Sequence, residues 1–247
     1  HSLRHRQRQM CIRDRYSSFV QRTFDQISQD LCINNNAATI VTFAGSVYGM
    51  NDVTHLGFQD IPMLSNIPNL VYLAPTTKEE YIAMLDWSIE QNEHPVAIKL
   101  PGGAMVSGRP VTKNFGDLNK YEVTQKGSKV ALLGLGTFYS LANAVADEMK
   151  SELGIDATVI NPYYITGLDE ELLESLKADH SVVVTIEDGI LDGGFGEKIA
   201  RFYGDSDMKV LNYGLKKEFL DRYDVEEVLK DNRLDAEMIA EDVKGLL

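Results

Sequence analysis

Apolar residues recur along this chain at two kinds of spacing. Phe19, Val20, Ile27 and Leu31, with Thr23, fall three, four or one residue apart, which predicts a helix over 16–31. Residues 38–43 are short and β-rich and read as a buried strand. A polar loop over 49–57 follows, and 70–74 is the next strand. Thr76 with Glu79 three residues later forms a capping-box pattern, opening a helix whose apolar face is Tyr81, Met84, Leu85 and Ile89. Residues 95–100 make a further strand, so this half alternates strand and helix. Residues 101–120 break the pattern with Pro101-Gly-Gly103, Ser107-Gly108, Pro110 and Gly116-Asp117, a linker between domains.

The second half repeats the alternation. Strands are expected at 129–134, 157–160, 181–186 and 209–212. Helices are expected at 141–153, stopped by Gly154, then at 169–176, at 197–203 and along the acidic C-terminus. The fold class is therefore α/β: two consecutive α/β domains with mainly parallel sheets flanked by helices.

Composition narrows this little. Hydrophobic residues make up 44% of 247, enough for real cores, and no run is long enough to predict a membrane span. Two cysteines are too few for a disulfide framework and favour a cytoplasmic setting. A net charge of −13 disfavours nucleic acid and anionic membranes as partners. The first fifteen residues differ: five arginines and one aspartate give them +4, leaving −17 on the rest. That arginine-rich bias resembles a transit peptide weakly, and Met10-Cys-Ile-Arg-Asp-Arg15 reads better as a non-native N-terminus on a gene that has lost its start.

Candidate chemistry gathers in Gly49-Met-Asn-Asp-Val-Thr-His-Leu-Gly57. A histidine in a loop after a strand stands where open α/β sheets bind ligands, and it can carry a proton or bond a sugar oxygen. A lone histidine is more often structural; Asn51, Asp52, Thr54 and Gly57 tip His55 toward function. Tyr16, Phe19 and Arg22 could flank a planar heteroaromatic ring, although sequence alone favours a core role for the aromatics. Gly193-Gly-Phe-Gly196 could offer amides to an anion but fits a tight strand-to-helix turn better. Glu187-Asp188 reads as a solvated strand end. No cluster has zinc spacing and no Gly-x-Ser-x-Gly elbow occurs.

Several of these motifs together resemble the transketolase family of thiamine-diphosphate enzymes, most of all its 1-deoxy-D-xylulose-5-phosphate synthase branch. Tyr16-Ser-Ser-Phe-Val-Gln-Arg-Thr-Phe-Asp-Gln26 is similar to that branch's Y-S-T-F-L-Q-R-A-Y-D-Q. Thr54-His-Leu-Gly57 and Ile67-Pro-Asn69 follow at family spacing, and Val184-Thr-Ile-Glu-Asp-Gly189 with Gly193-Gly-Phe-Gly196 resembles the family's C-terminal domain. The resemblance implies a truncated pyrimidine-binding domain over 16–105, a linker over 106–120 and a transketolase C-terminal domain over 121–247. It implies thiamine diphosphate with Mg2+ as cofactor, the metal and diphosphate ligands lying outside this chain. It implies small ketose, 2-oxo acid or aldehyde substrates, a role in isoprenoid biosynthesis, and a homodimer or pairing with a cofactor-binding domain. By position, Phe19 would pack on the pyrimidine and Tyr16 would line its pocket. His55 would act in catalysis at the substrate, while Asn51, Asp52 and Thr54 would bind it.

The chain also departs from that pattern. The family's A-E-Q-H-A segment has no counterpart here, nor has its G-D-G motif. Its D-R-A-G is Thr42-Phe-Ala-Gly45 and its Y-P-R-G is Leu100-Pro-Gly-Gly103, so Phe43 and Gly102 stand where two arginines would grip a phosphate. The expectation is an altered acceptor and no turnover by these 247 residues alone. The alternatives are one subunit of a split enzyme, or a non-catalytic assembly module like the beta subunits of 2-oxo acid dehydrogenases.

Overall fold

The computed structural model describes residues 12–247. Strand β1 (Ile12–Tyr16) leads into a helical run, α1, over 17–32. Next come β2 (Ala38–Phe43), a 3-10 turn (Val53–His55), α2 (Asp60–Leu64), β3 (Val71–Leu73), α3 (Lys78–Glu90) and β4 (Pro95–Lys99). After the linker come β5 (Glu122–Gln125), β6 (Lys129–Gly134), α4 (Tyr139–Leu153), β7 (Thr158–Asn161), α5 (Glu170–Leu176) and β8 (His180–Ile190). The chain closes with α6 (Phe195–Tyr203), β9 (Lys209–Leu215), α7 (Val225–Asp231) and α8 (Ala236–Lys244). The first sheet has order β1-β2-β4-β3 and is parallel throughout. The second has order β5-β7-β6-β8-β9, parallel except for β5 at its edge. This is the expected α/β pair of domains.

The interior strands are buried on both faces, as β4 and β6 show with apolar runs Val96-Ala-Ile98 and Val130–Leu133. The two sheets are stitched together by backbone. Leu73 forms an antiparallel bridge with Tyr164, while the Ala74 amide donates to the Tyr163 carbonyl and the Ile165 amide to the Tyr72 carbonyl, both at 2.7 Å. Tyr72, Leu73, Tyr164 and Ile165 have no exposed surface, so one apolar core continues from the first domain into the second.

Several expectations need correction. Residues 12–15, set apart with the N-terminus by the sequence reading, lie in β1, paired in register with 39–42 of β2; residues 1–11 lie outside those described. The helix over 16–31 is not uniform: it passes from α (Ser17–Val20) through a 3-10 turn (Gln21–Thr23) and α (Phe24–Gln26) to π (Ile27–Cys32). The capping box at α3 is shifted by one residue. Thr77 is the N-cap and accepts from the Glu80 amide, while the Glu80 carboxylate turns inward to Thr76 and Asn161. Glu79 instead points outward, to the Gly108 amide. The edge strand β5 carries no clear signal in sequence, because its residues are polar and half-exposed. Gly154, at φ 65°, ends α4 as expected.

Glu187 and Asp188 are the largest surprise. Strand β8 runs past the expected end to Ile190, and both carboxylates are buried. Glu187 accepts from the Phe195 and Gly196 amides at 2.8 and 2.7 Å, so the amides of the glycine-rich turn are taken up by the chain's own carboxyl group. Burial pushes the Glu187 carboxyl up to about 7, against the lowering effect of those two amide bonds. Its contribution to stability is therefore whole below the ordinary carboxylate range and is lost as pH rises toward 7. Urea unfolding of the wild type and of Glu187→Gln across that window tests this. The wild type should lose roughly 3 kcal/mol relative to the variant between about pH 4.5 and 7, with no further loss above. A level difference would show that Glu187 ionises as an ordinary carboxylate.

Candidate functional site

The carboxyl ends of the parallel strands β1, β2 and β4 converge on one edge, where ligands bind in open α/β sheets. Tyr16 and Phe43 end β1 and β2 and are register partners. Their rings meet edge to face at 5.6 Å, and Tyr16 lies 6.0 Å from both the Phe19 and the His55 rings. Phe19 and His55 meet at 5.1 Å, and the Arg22 guanidinium sits 5.7 Å from the Phe19 ring centre. Tyr16 and Phe43 keep more than a third of their surface exposed. The result is an open aromatic wall of four rings, suited to a planar heteroaromatic group.

His55 is oriented by its own turn. The Thr54 hydroxyl donates to Asp52 Oδ1 at 2.6 Å and lies 2.8 Å from His55 Nδ1. With its proton given to the carboxylate, the hydroxyl can only accept from the ring. Nδ1 therefore carries the proton, and Nε2 of the neutral imidazole keeps its lone pair. Asp52 also caps the 3-10 turn by accepting from the Thr54 amide, and the Thr54 hydroxyl, then its amide, hold the Asp52 carboxyl below its ordinary range. Asn51 faces elsewhere: its side-chain amide donates to the Tyr223 carbonyl at 3.1 Å, and its backbone carbonyl accepts from the Arg222 amide at 2.6 Å.

The loop that carries these residues is held by the second domain. Asp188 accepts from the Ser46 hydroxyl at 2.5 Å, the Val47 amide at 2.9 Å and the Thr137 hydroxyl at 2.8 Å, with 2% of its surface exposed. The Tyr223 hydroxyl donates to the Val47 carbonyl, and the Val53 amide donates to Asp221. Beneath the loop, Lys99 and Asp60 form a buried ion pair at 2.7 Å, and the Tyr72 hydroxyl donates to the other Asp60 oxygen at 2.6 Å. Burial, then the Asp60 charge, push the Tyr72 hydroxyl well up. Nothing local marks Asp60, Lys99 or Tyr72 for this role: Lys99 and Tyr72 are single polar residues in apolar runs, and Asp60 follows Gln59. Only the fold, which brings Tyr72 on β3, Lys99 on β4 and Asp60 at the start of α2 together, reveals the network.

Gly102 touches the loop directly. A Cβ there would lie 2.5 Å from Gly49 Cα and 3.1 Å from the Tyr48 carbonyl, so no side chain fits without moving that backbone. Phe43 fills the place of the other expected arginine with a ring of the aromatic wall. Beside the wall, a cavity of about 300 Å³ is lined by Ser18, Gln21, Thr54, Gln59, Asp60 and Phe219. The Ser18 hydroxyl there is buried without a partner among the described residues. No group of three His, Cys, Asp or Glu residues that could hold a metal occurs among the described residues. A larger cavity of about 780 Å³ has other walls, and its carboxylates Glu80 and Glu122 are already engaged by Thr76, Asn161, Arg109 and Tyr163.

Comparison with known proteins places both domains in one family. The transketolase pyrimidine binding domain matches residues 8–105, and the transketolase C-terminal domain matches 119–239. The 1-deoxy-D-xylulose-5-phosphate synthase of Clostridium tetani is 33% identical over 234 residues, covering 94% of this chain and 37% of its own length. That of Crocosphaera subtropica is 34% identical over 236 residues, with the same coverage of both. The chain thus spans just over a third of the length of these curated relatives. Among solved structures, a split-gene transketolase described as an inactive beta4 tetramer superposes with a TM-score of 0.78 at 22% identity, covering 95% of this chain and 75% of that one. A transketolase from Pichia stipitis gives 0.75 at 18% identity, covering 95% and 33%.

The tight fit at Gly102 yields a direct check. Gly102→Ala should lower stability by roughly 1–3 kcal/mol in urea unfolding, through displacement of the 48–49 backbone. An unchanged midpoint would mean that the loop yields freely and does not exclude a side chain at this position.

Proposed function

We propose, for a chain that belongs to the transketolase family, that it supplies the pyrimidine-side wall and the C-terminal domain of a thiamine-diphosphate-dependent ketol or acyl transferase. The observation that carries this reading is the aromatic wall with a histidine held in one tautomer at the carboxyl edge of the sheet. When bound, thiamine diphosphate supplies a nucleophilic carbon that forms and breaks carbon–carbon bonds next to a carbonyl. The described residues fit its aromatic part and not its metal. Tyr16, Phe19 and Phe43 offer ring surface, and the unpartnered Ser18 hydroxyl offers one polar contact beside it. No step at Mg2+ is assigned to them.

In this reading each residue has a limited task. His55 Nε2 accepts a hydrogen bond or a proton from a substrate hydroxyl, while Asp52 and Thr54 keep Nδ1 protonated. Asn51 ties the loop to the second domain instead of reaching for substrate. Phe43 and Gly102 leave the acceptor without the two cationic contacts expected there, so the preferred acceptor is an aldehyde lacking a phosphate. The activity belongs to an assembly in which other polypeptide supplies the diphosphate and metal ligands. A second reading, in which that polypeptide is separately encoded, draws on the likeness to the split-gene transketolase.

The test joins this chain, by fusion or mixing, to the diphosphate-binding domain of a clostridial relative and assays carboligation with paired aldehydes. The 247 residues alone should give no turnover. The assembly should use unphosphorylated aldehydes better than phosphorylated ones, and His55→Ala should reduce kcat/KM by roughly 100-fold or more. Activity unaffected by His55→Ala would remove the histidine from the mechanism. A preference for the phosphorylated acceptor would refute the specificity assignment.

A further inference from the structure

A second groove, with walls distinct from the aromatic site, runs between the two domains. Its volume is about 600 Å³, and Ser65, Asn66, Asn119, Glu170, Lys198 and Arg201 stand along it. Lys198 and Arg201 are three residues apart on α6 and so project from one face of the helix. Neither makes an ion pair among the described residues. Lys198 Nζ donates to the carbonyls of Ser65 and Ile165, each at 3.2 Å, which leaves one N–H free. The Arg201 side chain makes no hydrogen bond among the described residues, so its donors are free. Burial lowers the Lys198 ammonium to about 8, and the neighbouring Arg201 adds to that effect while Glu187 opposes it.

Lys198 and Arg201 stand without a carboxylate partner among the described residues, although the chain has 37 acidic residues and a net charge of −13. Glu170 shares the groove but is bonded to neither. An independent observation points the same way: Ser65 is 7% exposed, it lines the groove, and its hydroxyl has no partner among the described residues. A hydroxyl, an ammonium N–H and a guanidinium fork together make a donor set for a compact dianion.

We propose that this interdomain groove is a binding site for a small dianion of the phosphomonoester class, held by Arg201, Lys198 and the Ser65 hydroxyl. Its occupant would clamp the two domains, since Ser65 follows α2 in the first and α6 belongs to the second. The helix α2 runs between the two sites: Gln59 and Asp60, at its start, line the cavity beside the histidine, and Ser65 closes its far end. Binding here would therefore be felt at the loop. This assignment is independent of the proposed reaction and stands or falls by itself.

Inorganic phosphate is the probe, titrated into the 247-residue chain by calorimetry, with acetate at equal ionic strength as the comparison. Phosphate should bind saturably and acetate should not. Arg201→Gln should weaken phosphate binding by roughly tenfold or more, as expected for a lost charge-assisted contact. Lys198→Gln should do the same. Because the Lys198 ammonium also bonds two carbonyls, Arg201→Gln, whose side chain is free, is the variant certain to report on the ligand alone. His55→Ala should leave phosphate binding unchanged. Equal binding of phosphate and acetate, an unchanged affinity in Arg201→Gln, or loss of binding in His55→Ala would each overturn the assignment.

Discussion

The carboxylate of Asp188 is the contact on which the site depends. It is buried in the second domain, yet two of its three bonds go to Ser46 and Val47, at the root of the loop that carries His55. A buried carboxylate left without donors would be costly, so the loop and the Thr137 hydroxyl satisfy Asp188 as much as Asp188 holds the loop. Further along, Asn51 and Val53 bond to residues 221–223. The histidine thus belongs by sequence to the first domain and by attachment to the second. This makes the domain boundary part of the site and explains why the domains share backbone bridges and one continuous apolar core.

Much of the architecture is legible in the sequence because apolar period and turn residues report it directly. Strands β4 and β6 carry the buried apolar runs Val96-Ala-Ile98 and Val130–Leu133, and β2 and β8 carry the buried β-branched stretches Thr39–Thr42 and Val182–Ile186. Gly154 marks the end of α4, and Asp169 caps α5, both through local chemistry. What escapes are choices decided by partners far away in sequence. Glu80 and Glu79 are equivalent to a capping rule, and only the interior Asn161 and Thr76 select Glu80 for the inside. Glu187 and Asp188 look like a solvated strand end until Phe195, Gly196, Ser46 and Thr137 are brought to them.

The candidate site divides in the same way. His55, Phe19 and Tyr16 come together as the motif suggests, and the Asp52–Thr54–His55 chain that sets the tautomer lies within four residues. Asn51, however, turns to Tyr223, a partner no local pattern names. The exchange of two arginines for Phe43 and Gly102 is visible in sequence only as a loss. In the structure it is also a repacking: Phe43 completes the aromatic wall, and the backbone at Gly49 occupies the space beside Gly102. The loop is pressed closely on its neighbour at this point, so the site differs from the family pattern in shape as well as in charge.

Backbone amide exchange across residues 46–57 in the wild type and in Asp188→Ala measures most directly whether this carboxylate sets the loop. The Val47 and His55 amides should lose protection by roughly 10-fold or more, while β2 and β4 keep theirs. Protection of the loop unchanged by the substitution would show that the first domain holds this loop without Asp188.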